Sequence, residues 1–160
     1  MSQSNTTVPK SEVTRVKGLG FLWDKRTPDR FNGRVITRNG KITAEECRVV
    51  AEAAKRFGSG EISMTTRLTM EIQGVPFENI EPLRQFLREE AGLSGEPAAP
   101  AQGAPRGLLQ GTTCQYGLID TYALSEEIHK RFFVGYNQVK LPHKFKIAVG
   151  AAPTTASSPT

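Results

Sequence analysis

The chain has 160 residues, of which 38% are hydrophobic and 23% are charged, with a formal net charge of +5. This length allows one domain or two small ones and excludes a large enzyme of two full lobes. The charge favours an anionic partner. The two cysteines are too few for a disulfide framework. The lack of a long apolar run predicts a cytoplasmic protein with no membrane span.

The first predicted elements follow a polar N-terminal tail over residues 1–15, which lacks hydrophobic periodicity and predicts disorder. Phe21–Asp24 is predicted to be extended. A strand is predicted at Arg34–Thr37, because Asn39-Gly40, just beyond it, is a pair that favours a turn.

A helix is predicted to begin at Thr43, since Thr43 and Glu46 have the T-x-x-E spacing of a capping box. It is predicted to end at Gly58 and Gly60. Apolar residues recur at helical spacing and predict one stripe that faces a core: Ala44, Cys47, Val50, Ala51, Ala54 and Phe57. On this stripe Cys47 is interpreted as a small buried hydrophobic residue.

Two short half-buried strands come next and meet near Thr66. Their apolar residues alternate with polar neighbours: Ile62 and Met64 in the first, and Leu68, Met70 and Ile72 in the second. A second helix is predicted over residues 76–92, with an apolar face of Ile80, Leu83, Phe86 and Leu87. This order of elements is most of a ferredoxin-like split βαβ unit, so residues 16–93 predict an α+β domain with helices on one face of an antiparallel sheet.

The second half of the chain begins with a predicted linker over residues 94–107, which is rich in Pro, Gly and Ala. A third helical region is predicted over residues 112–132, with these core contacts: Ile119, Leu124, Ile128 and Phe132. The last strand, residues 144–149, places Lys144 and Lys146 on one face and its apolar residues on the other. Residues 151–160 predict a second disordered tail.

Basic residues on strands are the main chemical signal. Arg34 and Arg38 bracket the first strand, Arg67 lies at the junction of two strands, and Lys144 and Lys146 share a face. Strands hold cations more rigidly than loops do, and guanidinium groups match carboxylates and oxyanions. An ordinary polar sheet face fits the same pattern, so both interpretations stay open on the residues alone.

The histidines and glycines point to no other chemistry. His129 is predicted to be exposed on a charged helix, and His143 follows Leu-Pro at the start of a strand. Neither has metal-ligand spacing with a second His or Cys. The glycines form no dinucleotide fingerprint.

Four stretches, taken in order, resemble one family. They are "FNGRVITRNGKIT", "MTTRLTMEIQGVP", "GTTCQYGLIDT" and "KLPHKFKIAVG". Together they are similar to the siroheme-containing nitrite and sulfite reductases, especially the small single-repeat type. The resemblance implies a ferredoxin-like half domain followed by a partial α/β siroheme and iron-sulfur domain over residues 108–150.

The resemblance also implies a chemistry. The family reduces sulfite or nitrite by six electrons, on a siroheme coupled to a [4Fe-4S] cluster, with electrons from a donor protein or subunit. By resemblance, substrate-binding roles fall on Arg34, Lys144 and Lys146. The implied cofactor-binding residues are Arg67, Arg38, Thr66 and Cys114, of which Cys114 is also the implied metal ligand.

The sequence departs from this pattern at the cluster. Such clusters are held by four cysteine thiolates, but Leu108 or Leu109 stands at one expected ligand position and Ala152 and Ala156 stand at two others. The cluster is therefore not expected, and the chain alone is expected to be inactive. An altered or truncated reductase, a non-catalytic paralogue and a subunit completed by another chain all stay open.

A second hypothesis is a non-catalytic module that binds an anion, a nucleic acid or a protein on the same fold. RNA binding by a ferredoxin-like sheet uses exposed aromatic residues. The strands "GRVIT" and "LTMEIQ" contain none, which disfavours nucleic acid.

Overall fold

A computed structural model of the chain describes residues 8–37, 40–66, 68–91, 106–107, 117–134 and 147–150. The chain forms two compact units. The first consists of Met1–Ile36 and Ile42–Pro100, and the second consists of Thr37–Lys41 and Ala101–Thr160.

The first unit is a four-stranded antiparallel sheet with helices. Its elements in chain order are α1 (Lys10–Gly18), β1 (Phe21–Asp24), β2 (Thr27–Val35), α2 (Ala44–Phe57), β3 (Ile62–Met64), β4 (Met70–Pro76), a 3-10 turn (Phe77–Asn79) and α3 (Ile80–Ala91). The strand order is β1-β2-β4-β3. Since β2 and β3 both run antiparallel to β4 between them, they are parallel to each other and are joined through α2. This split βαβ arrangement confirms the predicted α+β, ferredoxin-like fold class.

The core lies between the sheet and the helices. Alternating residues of β2, namely Phe31, Gly33 and Val35, are buried, and they meet buried residues of α2 and α3 such as Val50 and Leu83. Phe31, Val50, Ile72 and Val75 have no exposed surface. The helices therefore cover one face of the sheet, as predicted.

A bulge in β4 keeps the core residues Ile72 and Val75 on the same face of the sheet. Phe31 pairs with Val75 and Gly33 pairs with Ile72, so two steps along β2 match three steps along β4. The extra residue is accommodated at Gly74, which has a positive φ of 68°. Asn32 Oδ1 accepts a hydrogen bond from the Gly74 N–H at 3.4 Å, and Arg30 donates to the Gly74 carbonyl at 3.2 Å.

The capping box of α2 is confirmed. Thr43 Oγ1 accepts from the Glu46 N–H at 3.1 Å, and the Glu46 carboxylate accepts from the Thr43 N–H at 2.7 Å. The predicted position of Cys47 is wrong, because this side chain is exposed. The buried residues of α2 are Val49, Val50, Ala53 and Ala54, whereas Cys47 lies in the first turn of the helix, before all of them.

The structure also corrects predicted boundaries in the first unit. The tail predicted over residues 1–15 is helical from Lys10, because α1 buries Val16 completely in the core. Strand β2 extends over Thr27–Val35 and not over the predicted Arg34–Thr37, since its first half pairs with β1. Strand β4 begins at Met70, because Leu68 has a φ of 59° and lies in the preceding turn.

The second unit contains β5 (Arg106–Gly107), α4 (Thr121–Ile128), a π-helical segment (His129–Val134) and β6 (Ala148–Val149). Strand β5 falls inside the predicted linker and pairs in parallel with β6. Residues 147–149 of the last predicted strand are described, and the strand there is limited to β6. Helix α4 begins after Asp120, whose carboxylate accepts from the Tyr122 and Ala123 N–H groups at 2.9 and 3.1 Å.

The predicted core contacts of this helical region are wrong for three residues. Ile119, Leu124 and Phe132 are 45%, 44% and 52% exposed, whereas Thr121 and Ser125 are fully buried. Thr121 and Ser125 lie one turn apart on the buried side of α4, so Leu124, one residue away from Ser125, is turned toward the exposed side.

We expect Gly74→Ala to lower the free energy of unfolding by about 1–2 kcal/mol, because an L side chain at this left-handed backbone position is strained. The added Cβ would also lie 3.0 Å from the Ser59 Cβ. Urea unfolding followed by fluorescence of Trp23, the single tryptophan of the chain, measures the change. Gly18→Ala is the matched control, since a Cβ there meets no atom within 4 Å; an equal loss in both variants contradicts the expectation.

Candidate functional site

Two of the predicted site residues lie in the described part of the chain, Arg34 on β2 and Thr66 in the loop between β3 and β4. The other predicted site residues lie outside the described residues: Arg38, Arg67, Cys114, Lys144 and Lys146. The positions expected to hold cluster ligands, Leu108, Leu109, Ala152 and Ala156, also lie outside them.

Arg34 forms a half-buried ion pair with Glu71, its direct register partner on β4. The Nε and Nη2 groups of Arg34 both donate to Glu71 Oε1, at 3.1 and 2.7 Å. The two side chains keep only 19% and 15% of their surface exposed. Charge-assisted hydrogen bonds of this kind are stronger than neutral ones, so Glu71 holds the guanidinium group in one orientation.

The pair lies on the sheet face opposite the helices. Side chains alternate between the two faces of a strand, and Arg34 stands between buried Gly33 and Val35 while Glu71 stands between buried Met70 and Ile72. Ser63 of β3 is the register partner of Glu71 on its other side. This polar sheet face, made of Asn32, Arg34, Ser63 and Glu71, is the candidate site.

Sequence reasoning missed Glu71. Its position between Met70 and Ile72 already placed it opposite the core, where a strand carrying Arg34 could meet it. The missing information was the register between β2 and β4, which depends on the bulge at Gly74.

Thr66 is exposed in a tight loop that its neighbours hold in place. The hydroxyl groups of Thr65 and Thr69 are 2.7 Å apart and hydrogen bonded, and the Thr69 N–H donates to Thr65 Oγ1 at 3.2 Å. Leu68 in the same loop has a left-handed φ of 59°, a conformation that costs roughly 1–2 kcal/mol for an L residue. The threonine pair offsets this strain and keeps the loop closed.

The second unit has one partly buried ionisable group with a shifted pKa among its described residues. Burial lowers the pKa of His129 below its ordinary value because it penalises the charged imidazolium, and the nearby Glu126 carboxylate opposes this shift. His129 was predicted to be exposed, and the structure shows it only partly exposed. In the same unit the Lys41 ammonium lies 3.8 Å from the centre of the Tyr122 ring, a cation-π contact.

Comparison with known proteins assigns the chain to a protein family. The family model described as the nitrite/sulfite reductase ferredoxin-like half domain matches residues 23–90, and the model described as the nitrite and sulphite reductase 4Fe-4S domain matches residues 104–159. The chain belongs to the nitrite and sulfite reductase family. The resemblance seen in the sequence is confirmed at this level.

Relatives within the nitrite and sulfite reductase family are longer than this chain. A ferredoxin–nitrite reductase of Leptolyngbya laminosa is 32% identical over 82 residues, which cover 50% of this chain and 16% of that protein. A ferredoxin–nitrite reductase of Synechococcus elongatus is 23% identical over 158 residues, which cover 88% of this chain and 28% of that protein.

A solved structure shares the fold. The NirA protein of Mycobacterium tuberculosis matches with a TM-score of 0.68 and 19% identity, covering 89% of this chain and 29% of that one. At this identity the match supports the fold alone. Each of these three comparisons covers less than a third of the relative.

The donor set of this chain does not fit a [4Fe-4S] cluster, although the matched family model is a 4Fe-4S domain. The chain contains only two cysteines, and such a cluster takes four thiolates. Cys47 is exposed on α2 of the first unit. Across the described residues, no group of three or more His, Cys, Asp or Glu side chains could hold a metal ion, and no helix is long and apolar enough to cross a membrane.

Arg34→Met is expected to lower the free energy of unfolding by about 1–3 kcal/mol, because it leaves the half-buried Glu71 carboxylate without its cation. The double variant with Glu71→Met is expected to recover part of this loss, since no unpaired charge remains. A double-mutant cycle measured by urea unfolding gives the coupling between the two residues. Arg26→Met is the control, because its pair with Asp24 is exposed; additive effects of Arg34 and Glu71 contradict the coupling.

Protonation of His129 is expected to destabilise the folded chain. The lowered pKa means that the folded state binds the proton more weakly than the unfolded state. The contribution of neutral His129 to the free energy of unfolding is therefore fully present above the ordinary histidine pKa of about 6.5. It is lost as the pH falls below that value. Thermal unfolding followed by circular dichroism should show a smaller acid-induced loss in His129→Gln than in the wild type, and equal losses would assign the effect to other groups.

Proposed function

We propose that this chain is a ligand-binding module of the nitrite and sulfite reductase family, and that it binds an oxyanion and the carboxylates of siroheme through cations carried on its strands. The proposed anion-binding residues are Arg34, Lys144 and Lys146. The proposed siroheme-binding residues are Arg67, Arg38 and Thr66. Cys114 is not assigned a cluster, because the chain lacks the other thiolates.

The observation that carries this proposal is the orientation of Arg34. Its guanidinium group projects from a central strand of the matched half domain and is fixed there by Glu71. A guanidinium group held in one plane binds a carboxylate or an oxyanion with little further loss of side-chain entropy. Family membership supplies the class of ligand, nitrite or sulfite at a siroheme.

The chain by itself is not proposed to reduce its substrate. A six-electron reduction needs an electron source, and bound siroheme in this family works with an iron-sulfur cluster that these residues do not fit. The donor set supports binding of anions, which needs only oriented cations and N–H groups. Reduction, with an electron-donor protein, is proposed only for a complex in which another polypeptide supplies the cluster.

Two further features accompany this proposal. We assign the protein to the cytoplasm, where its two cysteines stay reduced. Nucleic acid is not a favoured ligand, because the described residues of the polar sheet face, Asn32, Arg34, Ser63 and Glu71, include no aromatic ring for base stacking.

Siroheme binding is tested by producing the chain in cells that supply siroheme and purifying it without oxygen. We expect visible absorption from a bound tetrapyrrole, little acid-labile sulfide, and a lower siroheme content in Arg34→Met. Arg26→Met is the matched control, because Arg26 is an exposed arginine of the same unit that lies away from the bulge at Gly74. A colourless protein overturns the siroheme proposal, and about four irons with sulfide per chain would overturn the exclusion of the cluster.

A further inference from the structure

We propose that Glu71 is a specificity-determining residue that shifts the preference of the Arg34 site toward monovalent anions and away from divalent ones. This inference rests on the proposed function, because it takes Arg34 as an anion-binding residue. It adds a substrate class, small anions with one negative charge and two oxygens on one atom, such as nitrite.

The hydrogen bonds divide the guanidinium group into an occupied edge and an edge available to a ligand. Glu71 Oε1 accepts from Nε and from Nη2, which lie along one edge of the planar group. A guanidinium group has five N–H donors. The bridge therefore takes two of them and leaves the edge formed by Nη1 and Nη2 for another acceptor.

That second edge matches an anion with two oxygens. Two parallel N–H groups bind the two oxygens of a carboxylate in the bidentate pairs that arginine forms. Nitrite has the same arrangement, with two oxygens on one central atom. Because the bridge to Glu71 fixes the plane of the guanidinium group, this edge keeps its direction before a ligand arrives.

The negative charge of Glu71 shifts the preference between monovalent and divalent anions. The charge of Glu71 opposes that of Arg34, so the arginine supplies hydrogen-bond donors with a weaker positive field than an unpaired arginine would. An anion on the second edge would lie about 6 Å from the Glu71 carboxylate, since a hydrogen bond of about 2.9 Å lies on each side of the guanidinium group. The carboxylate repels that anion, and it repels a dianion twice as strongly.

The size of this effect follows from the charges and their distance. At about 6 Å the extra negative charge of a dianion weakens binding by at least about threefold in surroundings like water, and by more where solvent is excluded. The exposed fractions of 19% and 15% show that the pair is largely withdrawn from solvent. We therefore expect Glu71 to lower the affinity of Arg34 for divalent sulfite more than its affinity for nitrite.

The test measures binding of sodium nitrite and sodium sulfite to the full chain by isothermal titration calorimetry, at constant ionic strength in a buffer alkaline enough to keep sulfite divalent. Nitrate and sulfate serve as a second pair that cannot be reduced or oxidised in the assay. The quantity compared within each pair is the ratio of monovalent to divalent affinity. Glu71→Gln, which keeps a hydrogen-bond acceptor and removes the charge, should lower that ratio by at least about threefold.

Glu78→Gln is the matched control, because Glu78 is an exposed glutamate of the 3-10 turn and should leave the preference unchanged. A ratio of monovalent to divalent affinity that rises in Glu71→Gln, or in Glu71→Thr as a second neutral variant, overturns the inference. An unchanged preference in a folded Glu71→Gln also overturns it, provided that Arg34→Met abolishes binding. If the wild type binds no anion, or if Arg34→Met leaves binding unchanged, the proposed function of Arg34 fails and the inference fails with it.

Discussion

The pairing of β2 with β4 is the interaction on which the rest of the first unit depends. These two strands form the middle of the sheet, with β1 attached outside β2 and β3 attached outside β4. They contribute several fully or nearly fully buried side chains, among them Phe31, Met70, Ile72 and Val75. The same pairing brings Arg34 and Glu71 together on the opposite face, so one register determines both the core and the candidate site.

The bulge in β4 explains how one register can bury the core residues and also pair Arg34 with Glu71. Without an extra residue, Ile72 and Val75 would point to opposite faces, because they are three positions apart in a strand. With Gly74 in a left-handed conformation, both residues reach the core, and Glu71 stays on the polar face. The cost of this arrangement is backbone strain for any residue other than glycine at that position.

Local signals in the sequence predicted much of this fold, whereas features set by strand pairing were not predictable. The capping box at Thr43 and the order of elements from β1 to α3 depend on residues close together in the chain, and both are confirmed. The full length of β2 depends on its pairing with β1, a contact that hydrophobic alternation does not show. Arg34 was predicted as a site residue from its residue type and position. Its partner Glu71 is 37 residues away in the chain, and only the register between β2 and β4 shows that the two residues pair.

The contact between Lys41 and Tyr122 has a consequence for dividing the chain into parts. The second unit takes Thr37–Lys41 from the connection between β2 and α2, so the chain passes between the two units three times, after Ile36, after Lys41 and after Pro100. A fragment that begins at Ala101 would lack the ammonium group that Tyr122 contacts. A single cleavage between the two family-matched regions therefore separates Lys41 from Tyr122, and a fragment of the second unit that keeps this contact has to include the β2–α2 connection.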